Sequence, residues 1–244
     1  MVIFTGQAGT AAVSIGKLRF CLYPPRMLTA FSKRSPEEEL VRFRQAQLNC
    51  IHYLSQMYKQ AVLQIGPGYA HVFMIYAMLV EDSVYVDMVH TYIKTQNMTA
   101  EYAVSTTGET FSSAFSALED EYMRARGEDV RNVGNYLINE LIGYRQPEDN
   151  MAEPAILVDT EFSPDRILNL DREKTIAVIA RRGSISSHAA ELARVMKIPM
   201  AVQMDLPPIL DGHLAVLNGI EGRIYVDPMP EFLEEIAGKQ PACL

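Results

Sequence analysis

The run Thr175-Ile-Ala-Val-Ile-Ala-Arg-Arg-Gly-Ser-Ile-Ser-Ser-His188-Ala-Ala-Glu-Leu-Ala-Arg194, continued by Ile198-Pro-Met-Ala-Val202, decides the reading of this 244-residue chain. Residues 175–180 form a short apolar run rich in β-branched side chains, as a strand covered on both faces requires. Residues 181–187 hold one Gly and three Ser, a loop composition. Residues 189–196 contain strong helix formers without Gly or Pro, and Pro199 marks the stop. The pattern predicts strand, turn, helix, strand. His188 falls where the helix begins, among unpaired backbone N–H groups and the positive end of the helix dipole. An anion carried there is stabilised, and the dipole disfavours imidazolium, leaving a neutral ring nitrogen able to attack.

Working outward, residues 155–158 read as another strand and 164–170 as a short helix. Residues 214–217 and 223–226 read as strands joined through Asn218-Gly219 and Gly222, and 230–237 as a closing helix. On the other side, residues 2–19 suggest a strand and a turn, with 20–23 a further strand ended by Pro24-Pro25. Ser35-Pro36-Glu37-Glu38-Glu39 is a helix start, and apolar spacing carries that helix to Gly66-Pro67-Gly68. A second helix is expected over 69–95, a third after Thr99, and a fourth over 120–142 ending at Gly143. Residues 144–154 look like a connector. This order implies a helical insertion within an α/β domain whose first strands come from the N-terminus.

Composition narrows the class. Apolar residues make up 48% and charged residues 21%, as in globular proteins. A net charge of −8 without a basic run argues against nucleic-acid binding. No apolar stretch is long enough to span a bilayer, and no secretory signal opens the chain. Cys21, Cys50 and Cys243 are widely spaced and fit neither a disulfide framework nor a zinc site. Reduced thiols in a cytoplasmic protein are expected. His52, His71, His90 and His213 lack a second ligand at helical spacing and read as polar or capping residues. Glu119, Asp120 and Glu121 read as a solvated helix face.

The order G-x-x-x-S-H-A-A-x-x-A-R closed by I-P-x-A-V resembles the phosphohistidine loop of the phosphoenolpyruvate-utilising enzymes. The loop alone allows enzyme I of the sugar phosphotransferase system, pyruvate phosphate dikinase or phosphoenolpyruvate synthase. The helical insertion resembles that of the enzyme I family, and residues 118–134 are similar to one of its insertion helices. Glu38, Arg42, Phe43 and Ala46 match its first helix, residues 79–82 its second, and Asp211, Gly212, Tyr225, Val226 and Pro228 its final hairpin.

That resemblance implies an α/β swivelling phosphohistidine domain, residues 1–30 plus 146–230. It also implies an inserted all-α four-helix subdomain over 31–145 and a C-terminal helix or linker over 231–244. It further implies a phosphoenolpyruvate-protein phosphotransferase whose His188 takes phosphate from phosphoenolpyruvate on Nε2 and passes it to an HPr-like protein. Gly183, Ser186, Ser187 and Arg194 would support the phosphate, and Asp82, Glu121, Arg126 and Arg131 would meet the partner. A C-terminal phosphoenolpyruvate-binding barrel, in cis or in trans, would be needed for autophosphorylation, and Mg²⁺ is expected only with that barrel. No cofactor is expected in this chain, which can be a fragment of a longer protein.

The loop departs from the enzyme I pattern in carrying Ser184, Ile185 and Ser186 where Gly, Arg and Thr are usual. Thr10-Ala11-Ala12 replaces an N-terminal S-P-G turn. Pro67, Gly68, Ala70, Met74 and Ile75 stand where an acidic surface is expected, and Tyr76 where the family often has His. Arg181 and Arg182 flank the loop and read either as phosphate-holding or as solvated surface arginines. Residues 72–76 read as core or as an exposed docking surface. The alternative function is a binding or regulatory module that keeps the fold with impaired phosphotransfer.

Overall fold

The computed structural model describes residues 1–10, 12–23, 26–145 and 151–239. The chain divides into two compact units, Pro24–Glu148 and Met1–Tyr23 with Asp149–Leu244. The division thus falls after Tyr23 rather than at residue 30, and the closing helix belongs with the strands.

The inserted unit is built from α1 (Pro36–Ile65), α2 (Pro67–Val80), α3 (Ser83–Gln96), α4 (Ala100–Ser116) and α5 (Glu121–Ile142). Ser35 caps α1 in a full capping box with Glu38, and three acidic residues occupy the first turn. The single helix expected over 69–95 is two helices. The Asp82 side chain accepts from the Tyr85 amide and starts α3, a local bond that offers the backbone an alternative to continuing the helix. Asp120 does the same for α5 by accepting from Met123. Among its described residues the insertion therefore has five helices. Phe43, Leu54, Phe73, Tyr76, Ile93 and Leu137 are fully buried at its centre. Glu39 is buried among them, and its carboxylate takes hydrogen bonds from Ser32, Arg42 and the Ala100 amide. Burial works to raise its pKa, and those bonds overcome it and hold the carboxyl below its ordinary value.

Among its described residues the α/β unit holds eight strands: β1 (Val2–Thr5), β2 (Gln7–Ala8), β3 (Val13–Phe20), β4 (Ala155–Asp159), β5 (Thr175–Ala180), β6 (Met200–Val202), β7 (Leu214–Asn218) and β8 (Arg223–Val226). Its helices are α6 (Pro164–Leu168), α7 (His188–Val195) and α8 (Pro230–Lys239). The strand order is β1-β8-β7-β3-β4-β5-β6-β2. Residues 20–23 do not add a strand. Phe20 ends β3, and Cys21 donates one further backbone bond to Val158. Pro24 and Pro25, expected to end that strand, lie outside the described residues, as does Cys243.

The two ends of this sheet are joined. β1 and β2 are the first and last strands of that order, paired with β8 and β6, yet are separated only by Gly6. Gly6 donates to the Gly222 carbonyl at 2.8 Å, and a Cβ on it would lie 2.5 Å from the Val202 carbonyl oxygen. Only a residue without a side chain lets one strand pass between β6 and the turn before β8. The sheet therefore curls around an apolar interior containing Leu18, Ile156, Ile179, Leu217 and Ile224. Leu157 and Val178, on the alternate positions, are buried as well, so β4 and β5 are covered on both faces. Tyr225 stacks on Phe232, which attaches α8 to β8.

Candidate functional site

β3, β4, β5 and β6 lie side by side and parallel. Their C-terminal ends therefore share one edge, the usual position for a site in a parallel sheet. Backbone bonds continue past the strands there. Arg181 donates to the Asp159 carbonyl, Arg182 to the Thr160 carbonyl, and Met204 to the Ala180 carbonyl. The loop that carries His188 thus leaves β5 with its first two residues tied to the end of β4.

His188 is the first residue of α7, as the spacing predicts, and is half-buried. Ser187 is the N-cap. Its buried hydroxyl oxygen accepts from the Ala190 amide at 3.3 Å. Ser186 donates its amide to the Ser184 hydroxyl at 3.0 Å, and Ser187 donates its amide to the Ser184 carbonyl at 3.1 Å. Ser184 therefore acts within the turn, in a place where the enzyme I pattern carries Gly. Gly183 has φ of 112°, a conformation that L side chains avoid, and its carbonyl accepts from Gln203. Arg194 reaches back along the helix and donates to the Ile185 carbonyl at 2.8 Å. Its observed contact is with the loop backbone. Arg181 forms an ion pair with Asp205 through Nε and Nη2.

Beneath this loop lies a cluster that the sequence reading missed. Asp159, at the end of β4, accepts from the Tyr23 hydroxyl at 3.1 Å and lies 3.6 Å from Arg166. Arg166, on α6, also donates to the Cys21 sulfur and lies over the rings of Tyr23 and Phe162. Asp159 and Arg166 are both buried. Burial lifts the Tyr23 pKa above that of an ordinary tyrosine; Arg166 opposes the rise and Asp159 adds to it. An apolar strand ending in Asp was the one hint in the sequence. Nothing in it pairs that Asp with residues 136 positions earlier.

The proposed partner residues lie in the helical unit. Asp82 is exposed and caps α3. Arg126 pairs with Asp129 at 2.9 Å and covers the Tyr122 ring, while Arg131 donates to Ser112 at 2.6 Å. The Glu121 side chain lies outside the described residues. Asp129 also accepts from Tyr76, which stands in the family His position and is fully buried. The run 72–76 divides: Val72, Phe73 and Tyr76 are core, whereas Met74 and Ile75 are 46% and 42% exposed. Among the described residues, no group of three or more His, Cys, Asp or Glu can hold a metal ion. Among them, too, no helix is long and apolar enough to cross a membrane.

Residues 5–126 match the family model described as PEP-utilising enzyme, N-terminal, and residues 151–222 match the PEP-utilising enzyme mobile domain. The chain is 26% identical over 242 residues to the phosphoenolpyruvate-protein phosphotransferase of Bacillus subtilis, covering 98% of this chain and 42% of that protein. It is 34% identical over 137 residues to an Escherichia coli protein described as "Phosphoenolpyruvate-dependent phosphotransferase system", covering 56% of this chain and 18% of that one. The NMR solution structure of an Enzyme I protein superposes with a TM-score of 0.68 at 26% identity, covering 97% of each chain. The chain spans about two fifths of the length of the first of these relatives.

Proposed function

The chain belongs to the phosphoenolpyruvate-utilising enzymes, and on that premise we propose that it is a phosphoryl carrier of a phosphotransferase system. His188 accepts the group on Nε2 and exchanges it with an HPr-like protein. The observation that carries this reading is the position of His188 as the first residue of α7, on a loop at the C-terminal edge of four parallel strands. An imidazole there faces the positive end of the helix dipole, which favours the incoming anion. In the transfer the lone pair of Nε2 forms the new P–N bond. The donor's P–N bond breaks, and its electron pair stays on the donor's ring nitrogen. Positioning and charge compensation are then the loop's main tasks.

The phosphate first reaches His188 from phosphoenolpyruvate through a barrel domain supplied in cis or in trans. Mg²⁺ belongs with that barrel. No step here depends on it. Among the described residues Cys21 and Cys50 form no disulfide, which agrees with a reducing, cytoplasmic setting. The exposed Met74 and Ile75 favour a partner surface less basic than one matched to an acidic patch.

Incubation with phosphorylated HPr tests the reading. Acid-labile, base-stable label is expected on the wild type and not on His188→Ala. A wild type that stays unlabelled with a range of phospho-HPr proteins overturns the carrier reading in favour of a binding or regulatory module.

A further inference from the structure

We propose that Arg182 is the side chain that contacts the phosphoryl group on His188, an assignment that rests on the carrier reading above. A phosphoryl group brings roughly −1.5 to −2 charges to the loop at neutral pH. The helix N-terminus compensates only part of that, and the residue at the centre of the turn, Ile185, has no charge to offer.

The other arginines of this edge are committed. Arg166 is buried against Asp159 and Cys21. Arg181 is paired with Asp205, and Arg194 holds the Ile185 carbonyl. Arg182 differs in two respects. Its backbone is fixed by the bond from its amide to the Thr160 carbonyl at 2.9 Å, next to Gly183, whose own carbonyl is held by Gln203. Its guanidinium is exposed and, among the described residues, makes no hydrogen bond or ion pair. A fixed base with an uncommitted planar fork suits two-point contact with phosphate oxygens. The neighbouring pair, Arg181 with Asp205, keeps that carboxylate occupied, so Arg182 need not be drawn away from the loop by it.

Phosphoramidate supplies the test, because it loads histidine without a protein partner: its P–N bond breaks and ammonia leaves with a proton. With the ¹⁵N-labelled chain, loading of His188 is expected to shift the Arg182 Nε–Hε signal and slow its exchange, while Arg181 and Arg194 stay in place. Arg182→Ala is expected to load about tenfold more slowly, the effect of losing one charge-assisted hydrogen bond. Arg182→Lys should retain most of the rate by keeping the charge. Arg172→Ala, an exposed arginine between α6 and β5, is the control for net charge and should load like wild type. An unmoved Arg182 signal on a loaded chain overturns the assignment, as does Arg182→Ala loading at the wild-type rate. An equal loss in Arg172→Ala does so too. If neither phosphoramidate nor phospho-HPr loads wild-type His188, the carrier reading fails, and the Arg182 assignment fails with it.

Discussion

Arg194 donates from Nη1 to the carbonyl of Ile185 at 2.8 Å, closing the end of α7 back onto the loop that precedes His188. The bond spans nine residues and fixes the turn from the helix side, while the Arg181 and Arg182 amides fix it from the strand side. Arg194→Ala should therefore loosen the loop and leave the fold intact. A loss of about 1 kcal/mol is expected, with faster hydrogen exchange at the Ser186 and Ser187 amides. Unchanged exchange there would show that the brace restrains nothing.

Ser187 caps the helix that His188 opens. Ser187→Ala removes the acceptor for the Ala190 amide and should cost about 1 kcal/mol. Ser187→Asp keeps a capping oxygen but places a carboxylate where the phosphoryl group would sit. Its melting temperature should stay near that of wild type while its loading by phosphoramidate falls. Equal loading of Ser187→Asp and wild type would separate the cap from the phosphoryl site.

Asp159→Asn takes the negative charge from the buried ion pair with Arg166. Urea unfolding should show a loss of about 3 kcal/mol. Tyr23→Phe removes one hydrogen bond of the same cluster and should lose about 1 kcal/mol. If the double variant loses the sum of the two, the residues do not act as one network.

Gly6→Ala places a methyl group 2.5 Å from the Val202 carbonyl oxygen, a backbone atom that cannot rotate away. The β1–β2 strand or β6 must shift, at a cost of about 2 kcal/mol or more. Gly68→Ala, with open space around its Cβ position, is the comparison and should be close to neutral. Similar melting temperatures for both variants would remove Gly6 as the closure point.

Stability of the helical unit should depend on acid through Glu39. Its pKa in the folded chain lies below the ordinary value of 4.5, so its contribution is present above that pH and is lost as pH falls through the folded value. Glu39→Gln should weaken the unit by about 2 kcal/mol at neutral pH and flatten this acid limb. His90, whose pKa burial lowers from 6.5, adds a second slope just below that pH, because the unfolded chain binds the proton first. Helical ellipticity followed from pH 8 to pH 3 in both proteins checks the two slopes.

The strand, loop and helix around His188 were legible because each carries its own local signal. A β-branched run, a Gly/Ser turn and an Ala/Leu/Arg stretch act over a few residues, and the cap Ser187 is adjacent to the residue it positions. The breaks at Asp82 and Asp120 were harder to see. A capping Asp and a helix-interior Asp differ only in where the side chain points, and apolar spacing runs through both.

Sequence alone determined the strand–loop–helix arrangement, the helical insertion and the place of His188 at the start of the helix. All rest on short-range periodicity and on the order of residue types. Tertiary structure decided which neighbours hold that loop. Asp159, Arg166, Tyr23 and Cys21 meet because β3 and β4 are adjacent and parallel, and strand order depends on which apolar faces can be buried together. It also decided the roles of the arginines. Four similar side chains near one edge differ only by the partner within reach, so Arg166, Arg181 and Arg194 are engaged while the Arg182 guanidinium faces solvent.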